Sequence, residues 1–231
     1  MKTVVVTGCG RGIGLEFVRQ LLARGDRVFA GARRPEASSE LMGLAKSHRD
    51  RLTVLPLDVT SAPHRANLAA TLGGTSVDLL INNAGVYGPA PDRLGETDEE
   101  AWLETLRVNA IAPRQIVEIL LPHLRTGTRP CIALLSSKMG SMSDNGSGGA
   151  YVYRSSKAAL NAVGMSLARD LLDQGILTLI LHPGWVLTDM GGPDAEIDVS
   201  ESVAAMLKTL ETATDADNGR FIDVDGSTIA W

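Results

Sequence analysis

The sequence is poor in the residues that form disulfides and metal centres. Its 231 residues include only two cysteines, Cys9 and Cys131. Two thiols are too few for a disulfide framework or a four-ligand zinc site. The four histidines show no metal-ligand spacing such as His-x-x-x-His. We therefore expect a protein that holds no metal and works in a reducing compartment.

Long apolar runs and a strong charge of one sign are also missing. No stretch approaches the roughly 18 uncharged apolar residues of a membrane-spanning helix. Residues 1–8 lack the apolar core and cleavage site of a signal peptide. The chain has 22 basic and 27 acidic side chains, a net charge of −5, whereas binding nucleic acid through bulk charge needs a basic surface. We expect a cytoplasmic protein with no membrane span and no nucleic-acid partner.

Short apolar segments alternate with longer helical patterns along the chain. The segments lack apolar–polar alternation, as in Val4-Val5-Val6, which is typical of parallel strands covered by helices on both faces. The predicted strands are 3–7, 27–31, 52–57, 77–82, 130–136, 177–182 and 220–223, and the predicted helices are 12–24, 38–47, 62–72, 98–124, 150–174 and 200–211. This pattern predicts one α/β domain over residues 1–231, a Rossmann fold with a doubly wound, seven-stranded parallel sheet and helices on both faces.

Glycines cluster directly after the first predicted strand. Residues 7–14 read Thr-Gly-Cys-Gly-Arg-Gly-Ile-Gly, and Gly8, Gly12, Ile13 and Gly14 lead into the first predicted helix. Glycines let the backbone turn tightly and approach a pyrophosphate, whose charge is favoured by a helix N-terminus. Glycines also serve ordinary tight turns, but this strand–turn–helix context favours dinucleotide binding.

The end of the second predicted strand indicates which dinucleotide is bound. Sites that prefer NAD place Asp or Glu there for the ribose 2′-hydroxyl, but residues 30–35 read Ala-Gly-Ala-Arg-Arg-Pro. Arginines can bind a 2′-phosphate through bidentate hydrogen bonds. Arg33 is the strongest candidate, and Arg11 in the glycine turn could reach the same place. The alternative is that Arg33 and Arg34 only solvate a loop. The missing acid favours NADP(H).

Tyr153 and Lys157 lie at the start of a long predicted helix. Because positions i and i+4 share a helix face, the phenol and the ammonium are expected to project into one space. The free pKa of tyrosine is about 10. A lysine cation beside the phenol would lower that pKa and permit proton exchange with an alcohol or a carbonyl. Taken alone the pattern is common, and a surface aromatic beside a solvated lysine is the alternative interpretation.

Further polar residues are predicted at one edge of the sheet. Ser136 and Ser137 end the fifth predicted strand, and Asn82-Asn83-Ala84-Gly85 end the fourth. The carboxyl ends of parallel strands are where α/β sheets bind ligands. A hydroxyl there could hold a substrate oxygen beside the Tyr153 phenol.

Proline interrupts the predicted helix 98–124. Asn109 comes shortly before Pro113, where we expect a break or kink. A broken helix there would free backbone carbonyls for water or lysine. Taken alone, Asn109 is equally well explained as a turn or cap residue.

Together these motifs resemble the short-chain dehydrogenases/reductases, in which they occur in the same order. They are Thr7-Gly8-x-x-x-Gly12-x-Gly14, Asp58-Val59-Thr60, Asn82-Asn83-Ala84-Gly85, Asn109, Ser137, Tyr153-x-x-x-Lys157 and Pro183-Gly184. The resemblance covers nearly the whole chain, from Met1 to about Asp225. Within the superfamily, residues 150–154, 182–192 and 219–231 look like the C-factor and sniffer-type carbonyl reductase branch.

The resemblance implies a role for each catalytic candidate. Tyr153 would be the general acid in carbonyl reduction and the base in the reverse direction. Lys157 would hold the nicotinamide ribose hydroxyls and lower the pKa of Tyr153. Ser137 would orient and polarise the carbonyl, and we prefer it to Ser136 because the family serine precedes x-x-Gly. Asn109 would position a water in a proton relay.

The resemblance also implies a set of cofactor contacts. Asp58 would bond the adenine amino group, with backbone help from Val59. Asn83 would support the cofactor wall together with its neighbours Ala84 and Gly85. The loop after the sixth strand would place the carboxamide through Pro183, Gly184, Val186 and Thr188.

These expectations converge on an NADPH-dependent oxidoreductase that reduces a small-molecule carbonyl to an alcohol, or runs the reverse reaction, as a homodimer or homotetramer. The branch resemblance keeps open a nucleotide-binding signalling protein with secondary or no turnover. A third possibility is an epimerase or dehydratase on the same scaffold. The segment after Thr188 is brief, which suggests an open substrate pocket.

Overall fold

The computed structural model describes residues 1–90 and 92–231, and its centre is a sheet of seven strands. The strands are β1 (Thr3–Thr7), β2 (Arg27–Ala32), β3 (Leu52–Pro56), β4 (Leu79–Asn82), β5 (Cys131–Leu135), β6 (Leu177–Leu181) and β7 (Phe221–Ile222). All neighbours are parallel, in the order β3-β2-β1-β4-β5-β6-β7. The strand order reverses beside β1 and β4, and ligands of doubly wound sheets bind in the crevice at such a reversal.

Helices cover both faces of this sheet. They are α1 (Gly12–Ala23), α2 (Ser39–Ser47), α3 (Ala62–Leu72), α4 (Glu99–Leu106), α5 (Ala112–Leu124), α6 (Tyr151–Asp170) and α7 (Val199–Thr212). Side chains of α1, α2 and α7 join one buried cluster, and those of α3, α5 and α6 join another on the opposite face. The predicted Rossmann fold with a seven-stranded parallel sheet is confirmed.

The strands lack apolar–polar alternation because both faces are covered. Val4, Val5 and Val6 of β1 have no exposed surface. Val4 and Val6 pack beneath α1, α2 and α7, while Val5 packs on the opposite face. Fully burying one such side chain stabilises the fold by about 1.5–3 kcal/mol relative to leaving it exposed. This packing fixes β1, and therefore fixes the glycine turn that follows it.

The predicted helix 98–124 is three segments rather than one. A π-helical turn, Arg107–Ile111, separates α4 from α5, and Ala112 donates its N–H to the carbonyl of Arg107. The expected disturbance is present, but it lies before Pro113, which occupies the first turn of α5. In an α-helix the N–H of residue 113 would bond the carbonyl of Asn109, and proline has no N–H. The helix widens where that bond is missing.

Two other predicted elements are shorter in the structure. The helix predicted over 150–174 ends at Asp170, and a 3₁₀ turn, Leu172–Gln174, leads to Gly175 at φ +68°. The strand predicted from Val77 begins at Leu79, because the N–H of Val77 donates to the carbonyl of His123 instead of to a strand. The remaining bounds differ from the predicted ones by at most one residue.

No helix within residues 1–90 and 92–231 combines the length and the apolar composition needed to cross a membrane.

Candidate active site

The glycine turn links β1 to α1 with a backbone that side chains would obstruct. Gly8 has φ +73°, a conformation that favours glycine. A Cβ on Gly14 would lie 2.2 Å from the carbonyl oxygen of Gly8. The side-chain amide of Asn83 donates to the carbonyls of Thr7 and Gly8 at 2.8 and 3.2 Å. Asn83 therefore ties the end of β4 to the glycine turn.

The N-terminus of α1 is open to an anion. Its N-cap residue is Arg11, whose side chain makes no capping hydrogen bond, and the first turn contains no acidic residue. Backbone N–H groups at such an end attract phosphate. Beside the turn lies a cavity of about 610 Å³, lined by Gly10, Arg11 and Gly12 and by the first residues of α2 and α7. The tight backbone and the uncapped helix end fit a dinucleotide pyrophosphate.

Arg33 follows β2, and Asp58 lies shortly after the neighbouring strand β3. Arg33 is exposed and lies close enough to Asp58 for its charge to act on that carboxyl. Hydrogen bonding from Thr60 holds the pKa of Asp58 below its ordinary value, and the charge of Arg33 adds to this effect. The Thr60 hydroxyl and N–H both donate to Oδ1 of Asp58, at 2.7 and 2.9 Å. Asp58 is thus held as a carboxylate beside the buried Val59.

Arg11 forms an ion pair with the loop after β6. Its guanidinium pairs with Asp189 at 2.5 Å, and both side chains are well exposed. The structure therefore brings the glycine turn to the loop after β6, and it pairs Arg11 with a carboxylate there. The expected meeting of Arg11 with Arg33 is not shown.

The loop after β6 also approaches the glycine turn. Gly184 has φ +83°, and the hydroxyl of Ser202 in α7 donates to the carbonyl of Pro183 at 2.6 Å. Val186 is buried and pairs with Ile197 in an isolated bridge. Further along, the side chain of Thr188 would lie 3.4 Å from a Cβ built on Gly12. These contacts place the predicted nicotinamide loop over the start of α1.

Tyr153 and Lys157 converge on one buried face of α6, as their spacing predicts. Their exposed fractions are 9% and 5%. The Nζ atom of Lys157 lies 5.7 Å from the centroid of the Tyr153 ring and donates to the carbonyl of Leu135, at the end of β5, at 2.8 Å. The interpretation of this pair as a surface aromatic beside a solvated lysine is therefore wrong.

Burial dominates the protonation of both groups. It raises the pKa of Tyr153 to about 12, and hydrogen bonding to the Ser137 side chain acts in the opposite direction. Burial also lowers the pKa of Lys157 from 10.5 to about 8. Burial raises the pKa of Tyr153 by more than the Ser137 hydrogen bond lowers it. A lowering of this pKa by Lys157 stays a prediction.

Two adjacent serines at the end of β5 have different partners. Ser136 donates its hydroxyl to Oδ1 of Asn161 in α6 at 2.5 Å. Ser137 is buried, accepts from the N–H of Met139 at 3.2 Å, and begins the 3₁₀ turn Lys138–Gly140. Ser136 is committed to α6, whereas Ser137 interacts with the phenol of Tyr153. This separation favours Ser137 as the residue that meets a substrate.

Asn109, in the π-helical turn, holds the loop that follows β4. Its side chain accepts from the N–H of Val86 at 2.9 Å and donates to the carbonyl of Val86 at 2.8 Å. It also donates to the hydroxyl of Ser156 at 2.9 Å. A Cβ on Gly85 would lie 3.3 Å from Oδ1 of Asn109 and 3.6 Å from Nζ of Lys157. Both amide protons of Asn109 are thus engaged with protein, so its part in binding a water would rest on its carbonyl oxygens and stays a prediction.

One aromatic residue of the site escaped the sequence analysis. The ring of Tyr87 stacks on that of Tyr153, with centroids 4.6 Å apart and planes 24° apart. Tyr87 comes two residues after Gly85 and is 40% exposed. Its position just beyond a predicted ligand-binding strand end was the available signal.

The glycine turn, the tyrosine–lysine pair and the serine at the end of β5 lie at the carboxyl ends of the strands of a doubly wound sheet, the arrangement that the resemblance to the dehydrogenases predicts. The model of the short chain dehydrogenase family matches residues 2–197, and the chain belongs to that family. The C-signal protein of Myxococcus xanthus is 44% identical over 155 residues, which are 67% of this chain and 93% of that protein.

Solved structures agree with this assignment. The NADPH-bound carbonyl reductase from chicken fatty liver is 36% identical, with a TM-score of 0.94 and coverage of 100% of this chain and 99% of that one. The carbonyl reductase Sniffer of D. melanogaster is 34% identical, with a TM-score of 0.94 and full coverage of both chains. The predicted resemblance to the C-factor and sniffer-type branch is confirmed.

Proposed function

We propose that the protein is an NADPH-dependent carbonyl reductase in which Tyr153 is the general acid. The observation that carries the proposal is the buried cluster of Tyr153, Lys157 and Ser137 at the same sheet edge as the glycine turn. The similar carbonyl reductase from chicken fatty liver, whose structure contains NADPH, supports both the reaction and the cofactor. When bound, NADPH supplies a hydride to the carbonyl carbon.

The protonation of Tyr153 suits reduction. With a pKa of about 12 the phenol keeps its proton near neutral pH, and the protonated form is the one that can protonate a nascent alkoxide. Ser137, beside the phenol, orients the carbonyl oxygen by donating a hydrogen bond from its hydroxyl group. In the reverse direction the same two groups act on an alcohol, and Tyr153 must first lose its proton.

Lys157 and Asn109 prepare the surroundings of the acid. Lys157, with a pKa of about 8, is mostly a cation near neutral pH and lies beside the phenol. We assign it to the ribose hydroxyls of the cofactor. Because Pro113 has no N–H, the backbone carbonyl of Asn109 lacks its usual α-helical donor. This carbonyl can therefore accept a hydrogen bond from a water that relays protons to Lys157.

The selection of NADPH over NADH rests on Arg33. No acidic residue ends β2, and Arg33 is exposed next to Asp58. We assign Arg33 to the 2′-phosphate, and Asp58 with Val59 to the adenine. Asn83, Ala84 and Gly85 line the cofactor wall, and the loop from Pro183 to Thr188 covers the carboxamide.

The test is a stoichiometric assay of the whole chain with NADPH and a panel of aldehydes, ketones and quinones. We expect NADPH consumption and alcohol formation in equal amounts with at least one class of carbonyl. Alcohol formation without NADPH consumption, or product formed by epimerisation, would overturn the proposal.

We expect the active species to be a homodimer or homotetramer, which sedimentation analysis measures.

The identity to C-signal favours a second candidate, a nucleotide-binding protein with a signalling role. This candidate predicts NADPH binding with no carbonyl turnover over the whole panel. Tyr153, Lys157 and Ser137 are buried, and both Lys157 and Ser137 lie beside the phenol. This arrangement favours the reductase, since a binding module does not need a protonated phenol beside a substrate-facing hydroxyl.

A further inference from the structure

Tyr87 covers the ring of Tyr153. The two rings are close to parallel, with centroids 4.6 Å apart. Tyr153 is 9% exposed while Tyr87 is 40% exposed, so Tyr87 is the more exposed partner of the stack. Aromatic pairs at this separation attract each other beyond the effect of their buried area.

The residues on both sides of Tyr87 contact neighbouring helical segments. The N–H and the carbonyl of Val86 are both bonded to the side chain of Asn109. Gly88 has φ +94°, and a Cβ there would lie 2.9 Å from Cγ1 of Val152 in α6 and 3.0 Å from Oγ1 of Thr105 in α4. Val86 is therefore bonded to the π-helical turn, and the backbone at Gly88 packs closely against α4 and α6. The backbone that carries the Tyr87 ring is thus in contact with the helices around the site.

We propose that Tyr87 is a positioning residue, whose stacked ring holds the ring of Tyr153 in the orientation from which its hydroxyl reaches the substrate oxygen. The inference rests on the proposed carbonyl reductase function. Two features of the contact support it. The ring of Tyr87 stacks against the ring of the proposed acid. The same amide of Asn109 that anchors Val86 also bonds Ser156, which lies on α6 between Tyr153 and Lys157. One connected group of contacts thus joins α6, which carries Tyr153, to the loop that carries Tyr87.

The test compares three substitutions at Tyr87 with one at Tyr151. Tyr87→Phe keeps the stacked ring, Tyr87→Leu keeps bulk without a flat face, and Tyr87→Ala removes both. Tyr151→Ala is the matched control, because Tyr151 is also 40% exposed. The readouts are kcat and KM for one carbonyl, the Kd for NADPH and the thermal midpoint of each variant.

We expect Tyr87→Phe to keep kcat within about twofold of the original protein. Tyr87→Leu and Tyr87→Ala should each lower kcat by about threefold to tenfold, the size expected from one aromatic pair, with the Kd for NADPH unchanged. Rescue by phenylalanine but not by leucine separates positioning from space filling.

Two results overturn the inference while leaving the proposed function intact. One is a Tyr87→Leu variant with the kcat of the original protein. The other is a Tyr87→Ala variant indistinguishable from Tyr151→Ala. Failure of the proposed function is different: the original protein would then reduce no carbonyl in the panel, and the inference would fall with it.

Discussion

Replacing Lys157 by methionine tests the electrostatics of the site through stability, independently of turnover. The amine is buried, with a pKa lowered from 10.5 to about 8 by burial. Its Nζ donates to the carbonyl of Leu135 at 2.8 Å. Methionine fills a similar space without charge. The variant therefore removes a buried cation and, with it, the donor to one buried carbonyl.

The two effects have opposite signs. The difference between 10.5 and about 8 corresponds to about 3 kcal/mol of burial cost for the charged amine. Leaving the Leu135 carbonyl without its donor costs about 1–3 kcal/mol. At about pH 7 the variant should therefore be as stable as the original protein or up to about 2 kcal/mol more stable. Lys157, a residue that we assign to the active site, would then make the folded protein less stable at this pH than methionine does.

The pH dependence gives the sharper result. Between about pH 8 and 10.5 the unfolded chain binds a proton at Lys157 that the folded protein has released, so the free energy of unfolding of the original protein rises with pH. The variant lacks this gain. Relative to the original protein, Lys157→Met should lose about 3 kcal/mol as the pH increases over this window. The raised pKa of Tyr153 lowers the stability of both proteins above about pH 10 and cancels in the comparison.

The assay is urea unfolding of both proteins at a series of pH values from about 7 to 10.5. A crossover is expected, with the variant at least as stable at the lower end and the less stable of the two at the upper end. A constant difference over the whole range would refute the reasoning, because it would mean that Lys157 has the same pKa in the folded and unfolded chains.

Three further predictions concern the cofactor cleft and its neighbours. Arg33→Ala should weaken NADPH binding by about tenfold and leave NADH binding unchanged, as expected for the loss of one charge-assisted contact at an exposed site. Replacing the neighbouring residue, Arg34→Ala, should change the binding of neither cofactor. Calorimetry with both cofactors measures this, and equal losses for NADPH and NADH would contradict it. Gly14→Ala should abolish NADPH binding or folding, because its Cβ would lie 2.2 Å from the Gly8 carbonyl oxygen, while Gly43→Ala, with open space around its Cβ, should retain both in a thermal-shift assay. Gly85→Ala should lower kcat with little change in thermal midpoint, because its methyl group would lie 3.3 Å from Oδ1 of Asn109 and 3.6 Å from Nζ of Lys157. Unchanged kinetics would mean that these two side chains move aside without affecting the reaction.

The fold could be predicted because its signals are local and repeated. Apolar strands without alternation indicate a sheet buried on both faces, and β1 shows why, with Val4 and Val6 on one side and Val5 on the other. The glycine turn was also predictable, since a close backbone approach can be built only from glycine at Gly8 and Gly14. The spacing of the tyrosine and lysine was enough to place them on one face of α6.

The remaining features depend on contacts between distant segments. The stack of Tyr87 on Tyr153 joins the loop after β4 to α6, and no periodicity relates these residues. The raised pKa of Tyr153 reflects how completely the folded chain removes the phenol from water, which the neighbouring lysine in the sequence does not reveal. Pro113 indicated a disturbed helix, but the bonds of Asn109 in the π-helical turn to Val86 and Ser156 join segments that are distant in the sequence.

The rate of Tyr153→Phe tests the central claim most directly. Phenylalanine keeps the ring and its stack but removes the proton that the account transfers to the alkoxide. With a carbonyl that the original protein reduces, kcat should fall by about 10²–10⁴-fold, while the Kd for NADPH stays within about twofold. A variant that binds NADPH and reduces the carbonyl at the original rate would show that the proton comes from another group.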